Sequence, residues 1–143
     1  SLVGNAGGRL TEVLYLKPGE HKNFCIVDAA MNDMARPAMY EAWMGIVPCQ
    51  QRDDTTQTWD VVGPVCASGD WLGRDRALAV QHGDTLAMLS AGAYGMTMAS
   101  NYNSRPRAAE LMVDSAQVTL IRARETVESL FLGERLIDGH SRL

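Results

Sequence analysis

The sequence is 143 residues long and 46% hydrophobic, with a formal net charge of -4 and a pI near 5.3. That length supports one sizeable core rather than two ordinary domains, and the acidic balance excludes the basic stripe that nucleic acid phosphates require. Cys25, Cys49 and Cys66 are odd in number and lack CxxC spacing or paired histidines, so neither a disulfide framework nor a zinc site follows. No stretch approaches the roughly 18 apolar residues of a membrane span, and a reducing cytoplasm is the expected setting.

The chain opens at Ser1 inside LVGNAGGRL, which reads as the end of an apolar stretch entering a turn and predicts a cut sheet edge near the N-terminus. Gly4, Gly7 and Gly8 fail the spacing of phosphate-cradling loops. From Leu10, LTEVLYL alternates loosely, Lys17-Pro18-Gly19-Glu20 marks a turn, and NFCIVDAA supplies a second strand, giving a hairpin. MNDM interrupts that pattern, and Pro37 suits a first helical position, predicting a short helix near 37–44.

GIVPC, TWDVVGPVC, DTLAMLSAGAY and GMTMAS each read as strands bounded by turn residues, with Met88, Met96 and Met98 as core filling. ELMVDSAQVTLIRA predicts a hairpin about Asp114-Ser115. Val127, Leu130 and Phe131 fall at helical spacing and predict a C-terminal helix near 125–132, with fraying over 137–143. His21, His82 and His140 read as loop histidines. Many short strands with two modest helices predict a mainly β fold, sandwich or barrel-like, as one domain over 1–143.

Four residues stand out as chemistry. Arg36 and Tyr40 lie four residues apart at the predicted helix, where a forked guanidinium and a phenol can clamp one carboxylate. Spacing alone favours the plainer reading of a surface arginine and a half-buried tyrosine. Cys66 sits between an apolar strand and a glycine turn, and a thiol of ordinary pKa near 8.5 can give up a proton; taken alone it reads as a small buried hydrophobe. Tyr94, between Gly92 and Gly95, either faces a ligand or packs beside a bulge. The loop Asn101–Arg107 can hold an anion, although turn-forming asparagines and a solvated arginine account for it more simply.

Three blocks, DAAMNDMARPAMYEAW, VVGPVCASGDWLGRDR and GDTLAMLSAGAYGMTMASNYNSRPRAAELMVD, together resemble in order the C-terminal half of bacterial diaminopimelate decarboxylases. The resemblance covers most of residues 1–131 and implies a fold-type III pyridoxal-phosphate enzyme, with a cofactor-bearing TIM-like barrel followed by this β-rich domain. It implies pyridoxal 5'-phosphate as cofactor, decarboxylation of meso-diaminopimelate to L-lysine, and a homodimer. By the same analogy Arg36 and Tyr40 bind the substrate's distal carboxylate, Tyr94 touches cofactor and substrate, and Cys66 is a proton donor reaching across the dimer interface.

Two departures qualify that resemblance. The family block has glutamate after the cysteine where this chain has Ala67, and a methyl group cannot pair with a distal ammonium. The barrel is absent from the sequence, and with it the cofactor-bearing lysine; Lys17 and Lys22 flank a hairpin turn instead. The isolated chain is therefore expected to be inactive. Two alternatives stay open: a related decarboxylase of another basic amino acid or of carboxynorspermidine, and a non-catalytic dimerisation or binding module.

Overall fold

Thr11 and Val13 are the buried positions in the first half of strand β1 (Arg9–Lys17). An extra residue then intrudes in its pairing with β2 (Phe24–Val27): Val13 faces Val27 but Tyr15 faces Ile26. That bulge switches the inward face, so Leu16 rather than Tyr15 packs on the core. A short helix α1 (Ala35–Tyr40) follows, then β3 (Ile46–Pro48), β4 (Gln57–Val62), β5 (Trp71–Leu78) and β6 (Thr85–Met88). The spatial order is β3-β6-β1-β2-β4-β5, antiparallel throughout except for β2 with β4.

The two edge strands, β3 and β5, also pack against each other, so the sheet curls into a nearly closed barrel. Val13, Cys25, Val27, Val61, Leu72, Leu86 and Met88 fill it and are wholly buried. Burial pushes the Cys25 thiol up to about 12, which keeps it protonated and inert. Near the seam between the edge strands, the buried Arg76 guanidinium lies 4.5 Å from the centre of the Trp43 ring.

This computed structural model describes residues 2–135, which form two compact units, one ending at Ala99 and the other beginning at Ser100. The second carries a separate ribbon of β7 (Glu110–Asp114) and β8 (Gln117–Arg122), turning at Ser115 as the sequence predicts. The fold is mainly β and barrel-like, in agreement with the expectation from the strand pattern.

Several local expectations are corrected. Strand β1 pairs with β6 over residues 9–12 and with β2 over residues 13–17, and the described residues before Arg9 form bends and a turn instead of a strand. The helix starts at Ala35, places Pro37 within its first turn, and stops at Tyr40 instead of reaching 44. Glu41 adopts a left-handed conformation, and the Ala42 N–H donates to the Arg36 carbonyl, ending the helix.

GMTMAS forms a 3-10 turn over Met96–Met98, with both methionines only half buried. The C-terminal helix is likewise one 3-10 turn, Glu128–Phe131. Its apolar spacing finds no face to bury, since Val127 and Phe131 are exposed, and the Ser129 hydroxyl donates locally to the Thr126 carbonyl. The sequence pattern does not predict strand β5, because Arg74-Asp75-Arg76 breaks its apolar run. The fraying expected over 137–143, and the loop reading of His140, lie outside the described residues.

Candidate functional site

The segment between β2 and α1 is fixed before the helix begins. Asp28 accepts from the Thr11 hydroxyl at 2.5 Å and the Glu12 N–H at 2.8 Å, and the Ala29 N–H donates back to Thr11 Oγ1 at 3.0 Å. Asp33, buried, accepts from the Ala30 N–H at 3.0 Å and pairs with Arg9 at 3.0 Å. The sequence marks MNDM only as an interruption; the turn is in fact organised by its aspartate.

Helix α1 then carries Arg36 and Tyr40 one turn apart. Tyr40 is 63% exposed, so its phenol is free to meet a ligand instead of being half buried. Arg36 is half buried and has no ion pair among the described residues. A guanidinium without a carboxylate partner, one turn from an open phenol, is a donor set that suits an incoming carboxylate.

Cys66 lies in the turn between β4 and β5 and is exposed, so the expectation of a buried small hydrophobe is corrected. Ala67 beside it is half buried and offers no charge to a substrate. Tyr94 is 62% exposed on a loop with left-handed backbone (φ 61°), an uncommon conformation for a bulky residue and one that functional loops tend to hold. Close backbone packing supports the loop: the Ala91 N–H donates to the Gly7 carbonyl at 2.9 Å, and a Cβ on Gly92 would collide with the Val3 carbonyl. Gly92 therefore serves backbone approach.

Arg36 and Tyr40 share a helix, and the Cys66 turn is tied to the segment just before that helix by Asp70 Oδ1, which accepts from the Met31 N–H at 2.6 Å. Among the described residues no hydrogen bond or ring contact joins Tyr94 to Arg36, Tyr40 or Cys66. No group of three or more metal-ligating side chains exists among the described residues. Lys22 is engaged with Asp60 at 2.7 Å.

In the second unit, the Asn101–Arg107 loop does surround an anion, but it is the chain's own: the Glu125 carboxylate accepts from the Asn101 amide at 2.6 Å and from the Arg107 N–H at 2.8 Å and Nε at 2.7 Å. The side-chain hydrogen bond from Arg107 leads the causes that lower Glu125 to about 2.

Residues 3–92 match the family described as the pyridoxal-dependent decarboxylase C-terminal sheet domain. The chain belongs to this family. Diaminopimelate decarboxylase of Pseudomonas aeruginosa is 56% identical over 137 residues, which are 96% of this chain and 33% of that protein, and the Vibrio cholerae enzyme of the same name is 53% identical over the same span. Among solved structures, diaminopimelate decarboxylase from M. jannaschii in co-complex with L-lysine superposes with a TM-score of 0.91 at 40% identity, covering 94% of this chain and 31% of that one. The chain spans about a third of the length of the relatives it matches.

Among the described residues, Tyr94 presents an open aromatic ring, chemistry that suits contact with a flat cofactor ring. Lys22 is paired with Asp60 and Lys17 is the last residue of β1. No helix among the described residues is long and apolar enough to cross a membrane.

Proposed function

We propose that this chain is the C-terminal domain of a diaminopimelate decarboxylase, which converts meso-2,6-diaminopimelate to L-lysine and CO2 with pyridoxal 5'-phosphate. The observation that carries the reading is the pairing on α1 of a carboxylate-free Arg36 with the open Tyr40. A distal carboxylate would accept two forked hydrogen bonds from Arg36 and a third from Tyr40, which separates this substrate from diamine precursors lacking that group.

Bound pyridoxal phosphate would supply the electron sink for the pair left at the α-carbon when CO2 departs. Tyr94 would lie against the bound cofactor and substrate. The exposed Cys66 of one protomer gives its thiol proton to that carbon in the second protomer's site, forming the C–H bond and leaving a thiolate. The preceding barrel supplies the cofactor lysine and phosphate site. The working form is then a cytoplasmic homodimer, and this chain by itself is inactive. Ala67 favours a second reading, a domain that keeps the scaffold and its dimer contacts without substrate discrimination at the distal ammonium.

The test uses the full-length polypeptide carrying this domain, with CO2 release as the assay. Arg36→Lys raises KM for meso-diaminopimelate by about tenfold or more, the scale of a lost charge-assisted hydrogen bond, and leaves a substrate analogue without the distal carboxylate unchanged. Equal losses on both substrates reject the clamp. Cys66→Ala lowers kcat by about 10²–10⁴ with little change in KM; a wild-type kcat in that variant removes the proton-donor role. A full-length protein that dimerises but releases no CO2 supports the second reading.

A further inference from the structure

The carboxylate of Asp70 is 4% exposed and forms no ion pair among the described residues. Its two oxygens instead accept from the backbone of two separate segments. The Met31 N–H donates to Oδ1 at 2.6 Å, and the Val65 N–H donates to Oδ2 at 2.7 Å. The same residue closes the turn around Cys66 through its own backbone: the Gly63 N–H donates to the Asp70 carbonyl at 3.0 Å, and the Asp70 N–H to the Ala67 carbonyl at 3.0 Å.

This clip requires glycine at 63. A Cβ there would lie 2.7 Å from both Asp70 Oδ1 and the Ala29 carbonyl. Met31 in turn belongs to the Asp33-organised turn that launches α1. One buried carboxylate therefore fastens the turn presenting Cys66 to the lead-in of the helix presenting Arg36 and Tyr40.

We propose that Asp70 is a positioning residue that fixes Cys66 and the start of α1 relative to each other. An ionised carboxylate suits this task because it only accepts, and two N–H donors converge on it. The amide of asparagine would turn an NH2 toward one of those donors and leave it unpaired. The structural clip stands on its hydrogen bonds alone; only its consequence for catalysis rests on the decarboxylase reading. There, a loosened clip displaces both the proton donor and the carboxylate clamp, so kcat falls and KM rises together.

The test is hydrogen exchange at single-residue resolution in the full-length polypeptide, together with iodoacetamide alkylation of Cys66 in a Cys49→Ser background. In the wild type, the Met31 and Val65 amides exchange more slowly than those of Ser68 and Gly69. Asp70→Asn opens at least one of the two amides on the order of tenfold more often, the fold-change of one lost hydrogen bond to a charged group, and it alters the Cys66 alkylation rate while exchange in β4 and β5 is unchanged. Gly63→Ala, which leaves the charge in place and crowds it, gives the same signature.

Should Asp70→Asn not fold, Gly63→Ala and the wild-type exchange pattern decide. Met31 and Val65 exchanging as fast as Ser68 in the wild type overturns the proposal, as does an unaltered Cys66 alkylation rate in the folded variants. None of these readouts needs substrate. A wild type that releases no CO2 but shows the protected amides rejects the decarboxylase reading and leaves the Asp70 clip standing.

Discussion

The barrel of β1–β6 and the ribbon of β7–β8 are both built largely from antiparallel pairs of apolar strands, yet they bury very different amounts of what they carry. In the barrel, Val61 and Leu72 face inward at 0% exposure. In the ribbon, Leu111 faces Leu120 and Val113 faces Val118 in register, and all four remain at least 56% exposed. Hydrogen-bonded pairing alone holds a two-stranded ribbon only marginally, whereas curling six strands until the edges meet removes apolar surface from water. Strand-forming sequence and core-forming sequence are thus different properties, and the difference appears on mutation.

The largest expected effect breaks the barrel side of the comparison. Leu72→Ala removes a wholly buried side chain from β5 and costs about 2–5 kcal/mol, because the rigid surroundings collapse only partly onto the space. Denaturant titration of the full-length polypeptide, following a probe in this domain, measures it. A loss under about 1 kcal/mol would mean that the curled sheet is not the stabilising core.

The same comparison explains what the sequence disclosed. Strands β1, β2, β7 and β8 were legible because their alternation and turn residues, Pro18-Gly19 and Asp114-Ser115, act locally. Strand β5 was hidden by Arg74-Asp75-Arg76, whose burial of Arg76 beneath Trp43 depends on the curl of the whole sheet. The helix expected at 125–132 failed for the converse reason: its apolar periodicity is real but has nothing to pack on, and periodicity without burial does not hold a helix.

The proposed site residues Arg36, Tyr40, Cys66 and Tyr94 are marked out in the sequence only by ordered blocks that resemble a family. The buried aspartates that organise the turns before α1 and around Cys66, Asp33 and Asp70, carry no such mark. Their only local signals are an aspartate three residues after Ala30 and one following Gly69, both of which also mark ordinary turns.

A smaller, pH-dependent effect belongs to the second unit, where polar contacts rather than burial fix the chain. Glu125 is lowered from 4.5 to about 2, first by the hydrogen bond from the Arg107 side chain, then by the Arg107 N–H and the Asn101 amide. A carboxylate whose folded value lies below its unfolded one adds stability that is fully present above about pH 4.5 and disappears as pH falls through about 2. Carbon-detected titration of the Glu125 carboxyl should therefore find its midpoint near 2, with the Asn101–Arg107 loop loosening over the same interval. Arg107→Gln moves that midpoint back toward 4.5. An unchanged midpoint in the variant would remove Arg107 as the principal cause.

The smallest effect sharpens the ribbon side. Leu120 lies opposite Leu111 on β8, and both side chains are already in contact with solvent. Leu120→Ser therefore gives up little burial. It also trades one cross-strand apolar pair for a polar group that water can satisfy. The expected change in stability, for this chain taken alone, is within about 0.5 kcal/mol, against several for Leu72→Ala of the same starting residue type. Purifying both variants of the 143-residue chain and of the full-length polypeptide makes the comparison quantitative. If Leu120→Ser is neutral in the chain alone but costs about 2 kcal/mol or more in the full-length protein, the exposed stripe is being covered there by the rest of the polypeptide, and the ribbon's apolar residues are core residues of the larger structure. Neutrality in both settings leaves pairing, and not burial, as what holds β7 to β8.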